Sequence, residues 1–247
     1  MAMARTARQL SESGYMHLIV RGIGRQVLFE DRADCVRYLS LLRRFSAETK
    51  VSVCAYCLME NHVHLLVYDP NGQTPLLMKK LGVCYAQHFN RKYERVGHLF
   101  QDRYQSEAIE DENYFLTVYR YILNNPEKAG ICRAENYEWS SYGQYDDSAS
   151  FVDTKLLRDL IGDACDFETF MRVEDDAECM EYEPRKHDDN WASAIIRTQL
   201  KLNSGTELQS FDREERNAAL RALKAAGITV RQIERLTGIN RGVIQRA

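Results

Sequence analysis

Two short segments of the 247-residue chain hold residue types at spacings that could do chemistry. The first is His62-Val63-His64. Alternate residues of a strand face the same way, so the two imidazoles share one face, while Val63, Leu65 and Val67 pack on the other. Such positions lie about 7 Å apart along a strand, close enough for both rings to grip one metal ion. The competing reading is a pair of surface or hydrogen-bonded imidazoles, because six histidines make an H-x-H spacing unremarkable. The second segment is Arg120-Tyr121-Ile122-Leu123-Asn124-Asn125-Pro126. On a helix Tyr121 and Asn125 lie one turn apart on one face. Near a cation, the Asn125 carbonyl oxygen can serve as a hard ligand. The Tyr121 phenol can then be a nucleophile whose ionisation the charge favours. With 14 tyrosines in the chain, a packed aromatic with a wet hydroxyl stays open. Asn125 before Pro126 also reads as a helix C-terminus.

Positioning these groups requires a particular order of elements. Tyr15–Arg21, Val51–Met59 and His62–Tyr68 read as strands, the last two joined at Glu60-Asn61 into a hairpin. Asp31–Glu48 reads as a helix capped by Asp31, and Thr74–Tyr93 as a longer one. Phe100–Ile109 is expected to be extended, and Asp111–Asn125 to be a helix stopped by Pro126. The order β-α-β-β-α-β-α predicts a ferredoxin-like α+β domain: one antiparallel sheet with helices on one face. Residues 130–145 read as irregular and aromatic, and Thr154–Ile161 as a short helix.

Composition bounds the alternatives. Apolar residues make up 45 % and charged residues 28 % of the chain, enough apolar matter for a real core. No apolar run approaches a membrane span, and the polar Met1–Glu12 lacks the apolar region of a secretory signal. Seven scattered cysteines read as reduced thiols of a cytoplasmic protein, and Cys54-x-x-Cys57 lacks the second pair of a zinc knuckle. The net charge of −3 is unevenly spread. Residues 1–150 are balanced at 18 cations and 18 anions. Residues 151–190 carry 5 and 13, and residues 191–247 carry 10 and 5. The expected organisation is a domain over 1–150, an acidic connector over 151–187 and a basic helical module over 188–247.

Taken together, the motifs are recognisable. Leu58-Met59-Glu60-Asn61-His62-Val63-His64-Leu65-Leu66-Val67 resembles the signature of HUH single-tyrosine (IS200-like) transposases. Gly97-His98-Leu99-Phe100-Gln101-Asp102-Arg103-Tyr104, with Arg120–Gly130, resembles the REP-associated tyrosine transposase branch. Tyr15, His17, Arg21 and Gly22, and later Trp139-Ser140-Ser141-Tyr142, also fit, so the resemblance spans roughly residues 13–145. Asn125 stands where insertion-sequence relatives often have Gln, and Glu60 where many have Pro.

The resemblance implies a transposase that cuts single-stranded, hairpin-bearing DNA of repeat elements. His62, His64 and Asn125 would be metal ligands for Mg²⁺ or Mn²⁺, and Tyr121 the nucleophile that forms a 5′-phosphotyrosine. Arg21, Arg25, Arg103, Tyr104 and Arg120 are candidate strand contacts, each of which could equally be a solvated surface residue. His17 shares parity with Tyr15 and Arg21 and reads as a hydrogen-bonded residue, an auxiliary ligand or a DNA contact. The working form is expected to be a monomer or a homodimer, cytoplasmic and nucleoid-associated, with no membrane partner. The alternative is a domesticated DNA-binding regulator without strand transfer.

At the C-terminal end, Thr229 and Gln232 form a capping box and Gly238 a turn, with Asn240 as the next cap. This is a helix-turn-helix layout in which Asn240, Arg241, Gln245 and Arg246 would meet phosphates or bases. Glu234, at a place usually small in such motifs, keeps a plain helical packing module open.

Overall fold

β1 (Tyr15–Arg21), β2 (Ser52–Met59), β3 (His62–Tyr68) and β4 (Gln105–Ile109) form one antiparallel sheet in the order β2-β3-β1-β4. The computed structural model describes residues 11–162, 165–173, 179–180, 189–202 and 204–247. The chain divides into two compact units at Tyr182/Glu183.

In the first unit the helices α1 (Arg32–Thr49) and α2 (Thr74–Lys92) cover one face of the sheet. Asp31 caps α1 by a capping box with Asp34. Met16, Leu18, Val20, Tyr56, Leu58, Val63, Leu65 and Val67 fill that core layer. The helix α3 (Glu112–Lys128) packs on the opposite face, against Cys54, Ala55, Cys57, Met59, Leu66 and Ile109. Helices therefore cover both faces, not one as expected. The strands carry the reason: β2 is buried at every position but Ser52, and β3 at every position but its two ends. Near-continuous apolar strands need cover on both sides. A register shift between Val53 and Ala55 turns Cys54 and Ala55 both toward the α3 layer.

Three expectations are corrected. First, α3 runs through Pro126 to Lys128. Proline withholds the hydrogen bond its N–H would give to the carbonyl of Ile122. The Asn125 side chain turns back on its own helix instead, its Nδ2 donating to Tyr121 O at 2.8 Å and reaching Ile122 O at 3.5 Å. Second, the extended stretch before Ile109 is a strand over Gln105–Ile109, while Phe100 makes an isolated bridge to Gly22. Third, residues 151–162 and 165–173, expected within the connector, are part of the first unit. Val152 bridges Val53, and α4 (Lys155–Ile161) and α5 (Phe167–Met171) bury Leu157, Ile161, Phe170 and Met171 on the α3 side. The other connector positions lie outside the described residues, apart from Cys179 and Met180.

The motif Trp139-Ser140-Ser141-Tyr142 shields the sheet edge at β2. Leu58 N donates to Trp139 O at 2.9 Å, Ser141 N to Tyr56 O at 3.0 Å, and Tyr56 N to Ser141 Oγ at 2.9 Å. An edge strand left bare would expose its backbone donors and acceptors to another chain.

The second unit holds α6 (Asp189–Leu200), α7 (Arg213–Ala225), α8 (Val230–Thr237) and α9 (Arg241–Arg246) around Ile196, Leu208, Leu220, Leu223, Ile233 and Ile244. Thr229 and Gln232 form the expected capping box, and Gly238 ends α8 at φ 70°. Glu234 accepts from Arg241 N at 3.1 Å, so the residue that departs from the motif helps cap α9.

Candidate active site

Strand register assembles the site on the α3 side of the sheet. In β1 the residues Tyr15, His17, Ile19 and Arg21 share that side; in β3 they are His62, His64, Leu66 and Tyr68. Pairing sets Ile19 opposite His64 and Arg21 opposite His62, while β4 sets Glu107 opposite His17. The α3 helix enters through an Asp111 cap on Tyr114 N at 2.8 Å. Its apolar stripe of Phe115, Val118, Tyr119, Ile122 and Leu123 is buried. Tyr121, Asn125 and Lys128 follow at i, i+4 and i+7 on the flank beside it.

These elements bring together three of the residues singled out by sequence. The His62 and His64 rings lie 4.9 Å apart by centroid, and the Tyr121 ring lies 5.6 Å from His64. Asn125 sits one turn beyond Tyr121, and its Nδ2 bond to the helix backbone turns Oδ1 the other way. His17, left open by sequence, is fully buried, with Nε2 3.0 Å from His64 Nδ1 and its ring 5.9 Å from Tyr121.

Two residues that sequence reasoning missed complete the surroundings. Glu107 places Oε2 3.9 Å from His17 Nδ1, a charge contact beyond hydrogen-bond length, and accepts from Tyr114 Oη at 2.8 Å. The Lys128 ammonium lies 4.5 Å over the Tyr121 ring. The parity of His17 was a usable signal for Glu107, but only the β1–β4 register makes the two neighbours.

Electrostatics keep the imidazoles neutral. Burial, with Arg21 beside it, pulls His62 down to about 4. Burial, then His17 and His62, holds His64 well below the ordinary histidine value. Burial lowers His17 too, against the opposing pull of Glu107. Burial alone would raise Glu107; the His17 ring and the Tyr114 hydroxyl outweigh it and bring the carboxyl below its ordinary value.

The donor set fits a divalent cation. Two neutral imidazoles offer nitrogen lone pairs, to which the Asn125 amide oxygen would add a hard donor. Among the described residues, no group of three or more His, Cys, Asp or Glu could hold a metal, so an amide or a ligand atom must complete such a site.

The candidate strand contacts divide. Arg25 and Arg103 are exposed on two segments tied together beside Arg21: Ile23 N donates to Leu99 O and Gln101 N to Arg21 O, both at 2.9 Å. Arg21 is half-buried at the β1 end, opposite His62. Tyr104 is 9 % exposed and packs in the α1/α2 core, which leaves little of its ring open to a base. Arg120 is half-buried with its guanidinium 4.8 Å over the Phe170 ring, which makes it a packing group against α5. In the second unit Asn240 caps α9 by accepting from Gly242 N at 2.8 Å, and Arg241, Gln245 and Arg246 are exposed.

The histidine-pair strand of the four-stranded antiparallel sheet thus lies beside the tyrosine helix. Residues 11–125 match the family model "Transposase IS200 like". The fold is similar to that of a REP-associated tyrosine transposase bound to a REP hairpin, at 17 % identity and a TM-score of 0.50, over 70 % of this chain and 100 % of that one. A candidate transposase from Deinococcus radiodurans R1 matches at 23 % identity and a TM-score of 0.34, over 49 % and 97 % of the two chains. No curated protein matches the chain significantly. Among the described residues, no helix is long and apolar enough to cross a membrane.

Proposed function

We propose that this chain is a metal-dependent transposase that nicks and rejoins single-stranded, hairpin-bearing DNA through a 5′-phosphotyrosine. One observation carries the reading: the Tyr121 ring lies 5.6 Å from the His64 ring, and His64 lies 4.9 Å from His62, in a single chain. A candidate nucleophile and two candidate metal-binding imidazoles thus lie side by side, which supports a site complete in a monomer.

Tyr121 Oη attacks the scissile phosphorus in line. The Oη–P bond forms as the P–O3′ bond breaks, and the departing oxygen takes up a proton to become a free 3′-hydroxyl. A second 3′-hydroxyl reverses the step, restoring the phenol and joining the strands without ATP. His62, His64 and the Asn125 oxygen would hold Mg²⁺ or Mn²⁺, which withdraws charge from the phosphate and favours the phenolate. The Lys128 ammonium adds positive charge beside the Tyr121 ring. Arg21, Arg25 and Arg103 form a basic rim at the His62 end of the sheet, suited to the backbone of an unpaired strand.

The hairpin bound to the similar structure supports a hairpin-bearing substrate here. In the second unit, Asn240, Arg241, Gln245 and Arg246 are exposed at the start and end of α9 and would contact such DNA, with α8 and α9 acting as a helix-turn-helix. Such a substrate puts the protein's action in the cytoplasm, at the nucleoid.

The test is incubation with labelled hairpin-bearing single-stranded DNA and Mn²⁺, read on a denaturing gel. A covalent protein–DNA band is expected. Tight binding without a band would overturn the reading in favour of a DNA-binding regulator.

The depressed histidine pKa values add a pH prediction. A group lowered from 6.5 to about 4 stays neutral throughout that window, and protonation competes with ligation only as pH approaches the lower value. Mn²⁺ affinity is therefore expected to hold nearly constant from about pH 7.5 to about 5.5 and to fall toward pH 4. Calorimetric titration across that range measures it; a tenfold loss between pH 7 and 6 would show ordinary, solvated imidazoles.

A further inference from the structure

Among the buried polar atoms of the first unit, His17 Nδ1 has no hydrogen-bond partner among the described residues. It belongs to a chain of groups from four elements. Tyr114 Oη of α3 donates to Glu107 of β4 at 2.8 Å. The Glu107 Oε2 stands 3.9 Å from His17 Nδ1 of β1. The other His17 nitrogen, Nε2, meets His64 Nδ1 of β3 at 3.0 Å. His17 is fully buried and His64 is 2 % exposed, so water does not weaken the contact between the two rings.

One hydrogen sits between the two imidazoles, and its owner decides what His64 can do. Were it carried on His17 Nε2, the lone pair of His17 Nδ1 would face the Glu107 carboxylate, two electron-rich atoms confronting each other. His64 would then carry its own hydrogen on Nε2, which blocks that nitrogen as a ligand. With the hydrogen on His64 Nδ1, His17 carries its hydrogen on Nδ1, facing the carboxylate at 3.9 Å, so an attraction replaces that repulsion. Tyr114 Oη donates to the same carboxylate oxygen, Oε2, and holds it in place.

We propose that His17 and Glu107 are positioning residues that fix His64 in its Nδ1-protonated tautomer, leaving the Nε2 lone pair for a divalent cation. This rests on the metal-site reading of His62 and His64, and gives His17 a role that is neither ligand nor DNA contact. Carboxylate-to-imidazole partners of this kind orient metal-binding histidines and raise their basicity.

The first experiment uses the full chain without metal. Two-bond ¹H–¹⁵N spectra report histidine tautomers directly, and His64 is expected to show hydrogen on Nδ1. Hydrogen on Nε2 in the unsubstituted protein would overturn the proposal. Glu107→Gln, which removes the charge, is expected to move the His64 signals toward the Nε2–H pattern. The second experiment is calorimetric titration with Mn²⁺ alone. His17→Leu is expected to weaken binding about 10- to 100-fold. His17→Gln, whose amide oxygen can accept in place of Nε2, is expected to stay within about threefold. Circular dichroism checks that each variant is folded. A folded His17→Leu that binds Mn²⁺ like the unsubstituted chain would overturn the proposal. Failure of the metal reading shows separately, as no Mn²⁺ binding by the unsubstituted chain whatever its tautomer.

Discussion

Tyr121→Phe is expected to abolish the covalent protein–DNA adduct, lowering its rate of formation by about 10³-fold or more, while single-stranded DNA affinity stays within about threefold. The substitution deletes one oxygen and keeps the ring. That ring makes the edge contacts with His17 and His64 at 5.9 and 5.6 Å and lies under the Lys128 ammonium, so the packing of α3 on the sheet survives. Phenylalanine has no atom able to bond to phosphorus. Loss of the adduct with retained binding, read on one denaturing gel and one anisotropy titration, therefore isolates the nucleophile. A Phe variant that still forms the adduct would assign the attack to another group and remove the basis of the proposed function.

His64→Ala and His62→Ala are expected to lose metal-dependent cleavage to a similar degree, at least about 10²-fold, and to differ sharply in stability. His64 is 2 % exposed and bonded to His17, so alanine opens a cavity and leaves His17 Nε2 without its partner. A cost of about 2–4 kcal/mol follows from cavity formation and an unsatisfied buried nitrogen. His62 is only half-buried and bonds to the Asn61 carboxamide at 2.8 Å, so its replacement should cost about 1 kcal/mol or less. Neither change removes Arg21, Arg25 or Arg103, so DNA affinity should fall only a few-fold. Urea unfolding, cleavage and binding on both variants separate the effects. Equal loss of binding and cleavage would count against a ligand role for the pair.

Much of the framework was legible from local pattern. β1 and β3 begin and end where the apolar runs do, and Asp31, Thr229 and Asn240 cap the helices they were expected to cap. Capping and alternation act over a few residues, so a sequence window contains their cause. Pro126 was misread as a stop because a proline's cost is local, while its relief came from a neighbouring side chain reaching back to Ile122 O. Tyr104 shows the same limit: an aromatic beside arginines reads like a base platform, and only the packing of α1 and α2 makes it core. Trp139-Ser140-Ser141-Tyr142 was legible as a motif but not as the cover of the β2 edge, since its partners Tyr56 and Leu58 lie some 80 residues away.

By itself, the amino-acid order determined which groups share a face: His62 with His64, and Tyr121 with Asn125, because side-chain direction within a strand or helix follows from its period. What the tertiary structure decided was which faces meet. Strand order and register turned the histidine side of the sheet toward α3, set Glu107 beside His17, and buried both inner imidazoles away from water. Those pairings join residues up to about a hundred positions apart, and they depend on how two separately periodic surfaces fit, a property no single stretch of the chain contains.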